Sequence, residues 1–185
     1  MHISKQGWLE KERHCPSPHF NQRPINNDIS LLVIHNISLP PGQFGTPFVD
    51  DLFLGQLDPN KDSFFEEIYQ LTVSAHCLIS RTGEVTQYVS FKDRAWHAGV
   101  STYCGKENCN DFSIGIELEG TDKTEFSPAQ YQALVKTTRQ IITLYPKITP
   151  ERIVGHSDIA PGRKTDPGVG FDWDKYKQQL AKELT

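Results

Sequence analysis

Residues 31–34 read Leu-Leu-Val-Ile, the most apolar run of this sequence, and His35 follows them directly. A short, unbroken apolar run is typical of a central strand that is buried on both faces of a sheet. Asn36 comes next, where we expect the strand to end. The run therefore predicts the middle of a sheet, with two polar side chains at the carboxyl end of the strand.

Four further strands are predicted, at 74–80, 84–89, 112–118 and 153–154. The first two are joined by an Arg-Thr-Gly turn at 81–83, which indicates a hairpin. The last is short and apolar, and it leads directly into His156. The sequence thus places one histidine at the end of each of two buried strands.

The clearest helix is predicted to begin after Ser127. This residue is a suitable N-cap, Pro128 fits the first helical position, and Gln130 completes a capping box. Apolar and small residues then follow at helical spacing and predict one buried face: Tyr131, Leu134, Val135, Thr138, Ile141, Ile142 and Tyr145. Shorter helices are predicted at 63–70 and at 172–184.

The fold class that follows is mixed α/β (α+β), with a central mixed sheet of about five strands flanked by helices. At 185 residues the chain is expected to form a single domain, 1–185. Residues 1–29 are polar and proline-rich and predict a lead-in that wraps the domain. Residues 38–62 predict a long ordered loop, and such loops are usually functional.

Composition indicates which classes of partner this protein is not expected to bind. The formal net charge is -4, which argues against a nucleic-acid-binding protein. No stretch approaches the roughly 18 apolar residues of a membrane helix. The amino terminus lacks the apolar core of a signal peptide, so we expect a cytoplasmic protein that does not bind membranes. Nothing in the sequence requires more than a monomer.

The four cysteines are expected to be thiols in that compartment. Cys104 and Cys109 are spaced like half of a metal knuckle, but no second pair accompanies them, so two loop thiols are favoured. Cys77 lies inside a predicted strand without an evident partner base. A metal-independent hydrolase with a cysteine nucleophile is therefore a weak alternative.

The loop at 155–168 reads Gly-His-Ser-Asp-Ile-Ala-Pro-Gly-Arg-Lys-Thr-Asp-Pro-Gly and carries most of the chemistry. If the strands before His35 and His156 are neighbours, both imidazoles point to the same end of the sheet, and Asp166 can close a three-ligand site. Three protein ligands leave an open position on zinc, which lowers the pKa of water toward about 7. Spacing alone does not separate Asp166 from Asp158, nor exclude His76 or His97.

The strand at 112–118 offers a candidate general base. Ser113, Gly115 and Glu117 lie on one face, and two small residues beside a carboxylate suggest a floor left open for a ligand. Glu119 shares that face, so alternation does not choose between the two carboxylates. Lys164 is a candidate for stabilising an oxyanion at an attacked carbonyl.

A second loop, 94–99, reads Arg-Ala-Trp-His-Ala-Gly. Trp96 on such a loop can form an apolar platform for a ligand, and a core tryptophan is the alternative.

Five stretches, 32–42, 73–79, 94–100, 109–120 and 156–168, together resemble the zinc amidases that act on 1,6-anhydromuropeptides, relatives of phage lysozyme-type amidases and of peptidoglycan recognition proteins. The resemblance covers nearly the whole chain in order, and several motifs together are highly specific. It implies the amidase/peptidoglycan-recognition fold. It also implies hydrolysis of the amide between the lactyl group of 1,6-anhydro-N-acetylmuramic acid and L-Ala of the stem peptide.

The same resemblance assigns roles to residues. It implies Zn²⁺ held by His35, His156 and Asp166, with Glu117 as the base and Lys164 as the oxyanion stabiliser. It implies contacts to sugar or peptide from these residues: Asn36, Ala95, Trp96 and Arg163. The expected partner is a small muropeptide, and the expected role is peptidoglycan recycling, with indirect control of β-lactamase induction.

Two positions depart from the family pattern. Thr72 and Asn108 stand where some members carry Arg, which can bind stem-peptide carboxylates, so the departure concerns peptide preference rather than the reaction. The alternative from another class is a muropeptide-binding module without catalysis. Such modules usually lack a complete ligand set, whereas all the proposed ligands are present here.

Overall fold

The computed structural model describes residues 2–24 and 28–184. The remaining positions of the expected domain, 1, 25–27 and 185, lie outside the described residues. The strands are β1 (Arg13–His14), β2 (Phe20–Asn21), β3 (Leu31–Ile37), β4 (Cys77–Ile79), β5 (Val85–Gln87), β6 (Arg94–Ala95), β7 (Thr102–Tyr103), β8 (Lys106–Glu107), β9 (Ser113–Glu119) and β10 (Ile153–Gly155). The α-helices are α1 (Phe48–Phe53), α2 (Pro128–Leu144), α3 (His156–Ile159) and α4 (Trp173–Leu184).

The main sheet is mixed, with strand order β1-β5-β4-β9-β3-β10. Its centre is parallel, because β9 pairs with β3 and β4, and β3 pairs with β10. β4 and β5 form the antiparallel hairpin that the sequence predicts, and Gly83 N donates to Ser80 O in its turn. The predicted mixed sheet with flanking helices is confirmed.

The sheet has six strands rather than about five. The additional strand β1 comes from the predicted lead-in and pairs in parallel with β5 at the edge of the sheet. Its two residues, Arg13 and His14, are polar and exposed, so no hydrophobic pattern marks them. The lead-in also supplies β2, which pairs with β6. The described part of this lead-in therefore contributes two strands, β1 and β2.

The strand β3 runs past His35 to Ile37, and β9 accompanies it to Glu119. The apolar run is shorter than the strand because the polar residues at its end face the candidate site. The hairpin strands are shorter than predicted. Before Cys77, the chain also bonds outside the hairpin: Ser74 N donates to Trp96 O, and His76 N donates to Gly115 O.

The predicted long helix is confirmed as α2. Gln130 N donates to Ser127 Oγ at 3.1 Å, and Ser127 N donates to Gln130 Oε1 at 3.0 Å, which completes the capping box. The predicted terminal helix is confirmed as α4. The two helices are joined through a hydrogen bond between Thr138 Oγ1 and Tyr176 Oη at 2.8 Å.

The segment predicted as a helix at 63–70 is a 3₁₀ helix, Ser63–Glu67, whose first turn is held by the Asp62 side chain accepting from Phe64 N. The loop at 38–62 contains α1, which the sequence analysis did not predict. Val49, Leu52 and Phe53 of α1 are buried, but the surrounding prolines and glycines conceal so short a helix.

Side chains alternate across the central strands and divide the core. Leu32 and Ile34 pack with the cluster that includes α2 and α4, whereas Leu31 and Val33 pack on the opposite face. His35 shares the second face, because strand side chains repeat every two residues. The candidate site therefore lies on the face of the sheet away from α2 and α4. Among the described residues, no helix combines the length and apolar character needed to cross a bilayer.

Candidate metal centre

Two parallel strand pairings bring the predicted histidines together. His35 lies in β3, whose neighbour β10 places Gly155 opposite Ile34. His156 is the next residue and begins α3. Both imidazoles are buried, with exposed fractions of 2% for His35 and 3% for His156. The carboxyl ends of neighbouring parallel strands thus deliver both rings to one point, as the sequence predicts.

Asp166 completes the cluster. Its Oδ2 atom lies 3.0 Å from His35 Nδ1 and 3.1 Å from His156 Nδ1, and the two Nδ1 atoms are 3.0 Å apart. Its backbone carbonyl accepts from Ser157 N at 3.0 Å, which ties the loop back to α3. Asp158 points elsewhere, because its Oδ2 accepts from Gly155 N at 2.7 Å. Spacing in the sequence did not distinguish the two aspartates, whereas in the structure Asp166 joins the histidines and Asp158 does not.

The hydrogen-bond partners fix which atoms can bind a metal. His156 Nε2 lies 3.1 Å from Ala98 O. A carbonyl oxygen can only accept, so this contact favours a proton on Nε2 and a lone pair on Nδ1, although Arg163 Nη2 also lies 3.4 Å from Nε2. His35 Nε2 lies 2.9 Å from His97 Nδ1, and His97 Nε2 lies 3.1 Å from Ser113 Oγ, so His35 can donate through Nε2 in the same way.

Two nitrogen lone pairs and a carboxylate oxygen then converge without a proton between them. Three electron-rich atoms at this distance repel one another unless a cation lies between them. Zinc bonds of about 2.0 Å in tetrahedral geometry separate ligand atoms by about 3.3 Å, close to the spacing seen here. Among the described residues, His35, His156 and Asp166 are the side chains whose ligand atoms lie close enough together to hold a metal ion. The donor set fits zinc.

The protonation of the ligands suits that role. Burial lowers the pKa of His35 to about 4, so its imidazole is neutral near pH 7. Burial alone would raise the pKa of Asp166, but its close contacts with the His156 and His35 rings outweigh burial and hold this pKa below the usual range of aspartate. A neutral His35 imidazole beside an ionised Asp166 carboxylate suits the binding of a metal.

Glu117 faces this cluster from β9, directly opposite His35 in the register. It is 9% exposed, and its Oε2 atom is buried without a hydrogen-bond partner. Burial, together with the negative charge of Asp166, raises the pKa of Glu117 well above 4.5, and the charge of Lys164 opposes this rise. An unpartnered buried carboxyl beside a metal site is free to accept and return a proton.

The two glutamates on this face differ in their hydrogen bonds. Glu119 accepts hydrogen bonds from Gly45 N and from Arg81 N, at 2.5 Å and 3.0 Å. Its carboxylate therefore joins two loops to the end of β9. Glu117 is the carboxyl that remains unpaired, which favours it as the base.

The expected open floor beside Glu117 is wrong. A Cβ atom at Gly115 would lie 2.5 Å from His97 Cγ, because the His97 ring fills the space above this residue. Ser113 Oγ meets the far nitrogen of the same ring. The small residues thus accommodate a histidine of the protein itself, not a ligand.

A cavity of about 180 Å³ opens over the cluster. Lys164 and Trp96 line it together with Glu117 and the side chains of His35, His156 and Asp166. Trp96 is partly buried, its Nε1 donates to Asn21 Oδ1 at 2.7 Å, and its ring lies nearly parallel to that of His19. Trp96 therefore forms a wall of the cavity rather than part of the core.

The other predicted substrate contacts occupy different environments. Asn36 lines the cavity and donates through Nδ2 to Asp122 Oδ1 at 2.8 Å. Arg163 is exposed, and its Nη2 donates to Ala98 O and Val100 O, each at 2.7 Å. Ala95 is fully buried in an apolar cluster and offers no side-chain surface to a ligand.

The cysteines lie apart from this chemistry. All four are free thiols, and Cys77 is fully buried, which raises its pKa far above its ordinary value. A thiol buried in this way is unreactive, which argues against Cys77 as a nucleophile and so against the cysteine-hydrolase alternative. Cys104 and Cys109 belong to no metal-binding group among the described residues.

Sequence reasoning missed the residues around the ligands. His97 was considered only as a ligand, yet it contacts His35 from behind, and Ala98 O contacts His156. Asn110 holds both of these residues, since its Oδ1 accepts from His97 N and Ala98 N. The polar turn Cys109–Asp111 before β9 is visible in the sequence, but local sequence does not reveal that this turn contacts the loop at 94–99.

Comparisons with known proteins agree with this geometry. The family model "N-acetylmuramoyl-L-alanine amidase" matches residues 25–169. The 1,6-anhydro-N-acetylmuramyl-L-alanine amidase AmpD of Escherichia coli (strain K12) is 58% identical over 183 residues, which cover 99% of this chain and 100% of that protein. The crystal structure of a selenomethionine derivative of AmpD superposes with a TM-score of 0.94 at 56% identity, covering 97% of this chain and 99% of that one.

A more distant structure contains a ligand. The amidase AmiD from E. coli, in complex with the substrate anhydro-N-acetylmuramic acid-L-Ala-D-γ-Glu-L-Lys, has a TM-score of 0.62 at 32% identity. The match covers 96% of this chain and 65% of that one.

Proposed function

The chain belongs to the N-acetylmuramoyl-L-alanine amidase family, and on that premise we propose a site and mechanism for hydrolysis of 1,6-anhydromuropeptides. The activity is that of a 1,6-anhydro-N-acetylmuramyl-L-alanine amidase in peptidoglycan recycling. The bond broken joins the lactyl carbonyl carbon to the nitrogen of L-Ala. Water supplies the oxygen of the new carboxylate and a proton for the released amine.

His35, His156 and Asp166 would hold the metal, which we propose is Zn²⁺. The observation that carries this assignment is the convergence of two Nδ1 atoms and one carboxylate oxygen within 3.1 Å of one another. A bound zinc supplies Lewis acidity, which lowers the pKa of water and polarises a carbonyl. Family membership supports zinc over other metals, since amidases of this family are generally zinc enzymes.

Glu117 moves the proton. In the proposed mechanism its carboxylate accepts a proton from the attacking water and then passes it to the nitrogen of L-Ala as the amide bond breaks. Burial suits Glu117 for both steps, because a raised pKa brings a carboxyl closer to neutral pH, where it can accept and donate. Because Oε2 has no hydrogen-bond partner, no hydrogen bond has to break before this atom accepts a proton.

Lys164 and the cavity walls act on the substrate. The Lys164 ammonium faces the same cavity as Glu117 and would stabilise the oxyanion that develops on the lactyl oxygen. Trp96 would pack against the sugar or peptide, and Asn36 and Arg163 would offer polar contacts near the cavity mouth. The buried Ala95 is not carried into this proposal.

The proposal extends to the whole chain. Residues 1–185 would form one catalytic domain acting as a monomer, because every proposed site residue comes from a single chain. The four free thiols support work in a reducing compartment such as the cytoplasm. By removing anhydromuropeptides, the enzyme would also limit the fragments that induce β-lactamase.

The test is incubation of the purified protein with anhydro-N-acetylmuramic acid-L-Ala-D-γ-Glu-L-Lys, followed by mass spectrometry. We expect the free tripeptide to appear, its release to stop with a chelator, and its release to return with added zinc. A zinc-loaded protein that binds the muropeptide without cleaving it would be a binding module and would overturn the proposal.

A further inference from the structure

The segment formed by His97 and Ala98, which we call the backing segment, touches both histidine ligands from behind. His97 Nδ1 lies 2.9 Å from His35 Nε2, and Ala98 O accepts from His156 Nε2 at 3.1 Å. Each contact involves the ring nitrogen that does not face Asp166. Outer partners of this kind fix the tautomer and the orientation of a metal-binding histidine.

One side chain holds the backing segment. Asn110 Oδ1 accepts from His97 N at 3.1 Å and from Ala98 N at 2.8 Å, which uses both lone pairs of the amide oxygen. Asn110 is only 7% exposed. A single buried oxygen thus sets the position of two consecutive peptide units, and each of these residues contacts a different ligand.

Asn110 is itself fixed in place. It lies in the 3₁₀ turn Cys109–Asp111, and its backbone carbonyl accepts from Arg23 Nη1 at 3.0 Å. The neighbouring Asp111 carboxylate pairs with Arg94 Nε at 2.6 Å. The turn is therefore tied to the rest of the fold on both sides, and Asn110 transmits that fixed position to the backing segment.

We propose that Asn110 is a positioning residue for the metal centre, which orients His35 and His156 together through the backing segment. It touches neither metal nor substrate, so it acts only through the two histidines. The inference rests on the proposed function, because it takes these histidines to be metal ligands. It predicts that loss of the Asn110 oxygen weakens metal binding, and not only folding.

The experiment compares Asn110→Leu, which removes the oxygen at similar volume, with Asn110→Asp, which keeps it. Gln87→Leu is the matched control, since Gln87 is a fully buried amide that bonds to Leu9 N, Gly7 O and Val89 O away from the ligands. Zinc affinity is measured by chelator competition, and the Co²⁺-loaded proteins give a visible spectrum that reports ligand geometry.

We expect Asn110→Leu to weaken zinc binding by about 10- to 100-fold and to alter the Co²⁺ spectrum. Asn110→Asp should retain affinity and spectrum, and Gln87→Leu should lower thermal stability with unchanged zinc affinity. Equal zinc affinity in wild type and Asn110→Leu would overturn the inference. If Asn110→Leu does not fold, Asn110→Ala makes the same removal, and failure of both to fold would make Asn110 a folding residue and overturn it as well.

The two proposals fail differently. A wild-type protein that binds zinc but does not cleave the muropeptide overturns the proposed function, while the comparison of zinc affinities still decides the role of Asn110. A wild-type protein that binds no zinc overturns both.

Discussion

His35 and Glu117 stand directly opposite each other in the parallel pair β3–β9. Side chains at paired positions of neighbouring strands share a face of the sheet, so the backbone itself holds Glu117, the proposed base, beside His35, a proposed metal ligand. Two buried strands position a base more rigidly than two loops would, and catalysis depends on that rigidity. The position of Glu117 beside the proposed metal site is therefore set by the register of β3 and β9.

Replacing Glu117 with Gln should remove proton transfer while leaving the metal ligands in place. We expect the turnover number to fall by about 10²- to 10⁴-fold, with zinc content unchanged, because the amide has nearly the same shape but cannot accept the proton. Steady-state kinetics and metal analysis on the same sample check this. Wild-type turnover in Glu117→Gln would remove Glu117 from the mechanism.

The raised pKa of Glu117 predicts how stability depends on pH in the metal-free protein. Above pH 4.5 the unfolded chain releases the Glu117 proton, while the folded chain retains it until a much higher pH. The folded state then binds more protons than the unfolded state, so this group lowers the free energy of unfolding as pH rises through that window. Glu117→Gln lacks this effect.

Urea unfolding of metal-free wild type and Glu117→Gln checks the sign. The stability advantage of the variant should grow as the pH rises above about 4.5 and stop growing once Glu117 is ionised in the folded protein. Comparing the two proteins cancels the opposite contribution of His35, whose lowered pKa makes stability rise with pH. An advantage that is independent of pH would mean that Glu117 is not held in its neutral form by burial.

Lys164 is exposed, so its replacement should affect the reaction and not the fold. In Lys164→Ala we expect the turnover number to fall by about 10²- to 10³-fold, the usual effect of losing an oxyanion-stabilising group. Lys164→Arg keeps the charge and should retain most of the activity. The account of Lys164 fails if both variants lose activity equally, or if only KM changes.

Gly115 gives a test of the packing behind the ligands. In Gly115→Ala the added methyl group would meet the His97 ring at 2.5 Å, so the ring must move, and its contact with His35 must change. We expect zinc affinity to fall by about tenfold or more. Gly105→Ala is a control, because it adds a methyl group at an open position away from the site. Gly105 has a positive φ, so this variant also carries backbone strain. Unchanged zinc affinity in Gly115→Ala would show that His97 does not support His35.

The sequence predicted the features that depend on local pattern. The apolar run before His35 predicted a central strand, and the cap at Ser127 predicted α2 to within a residue. The pairing of His35 with His156 followed from the rule that parallel strands end at one edge. The choice of Asp166 over Asp158 came from family resemblance, and the structure supplies its reason in the bond from Gly155 N to Asp158.

Features that depend on distant contacts were not predictable. Gly115 was interpreted as part of an open floor, because nothing near it in sequence shows that His97 fills the space. The role of Asn110 depends on a loop 12 to 13 residues earlier in the chain. The helix α1 is too short for its pattern to stand out among prolines and glycines. In each case the deciding partner is tertiary.

The most direct test of the central claim is a zinc titration of the metal-free enzyme, with cleavage of anhydro-N-acetylmuramic acid-L-Ala-D-γ-Glu-L-Lys measured at each addition. The account predicts that activity rises linearly to one zinc per chain and then stays constant, and that Asp166→Ala remains inactive at that stoichiometry. Full activity without metal, or full activity of Asp166→Ala at one zinc per chain, would contradict it.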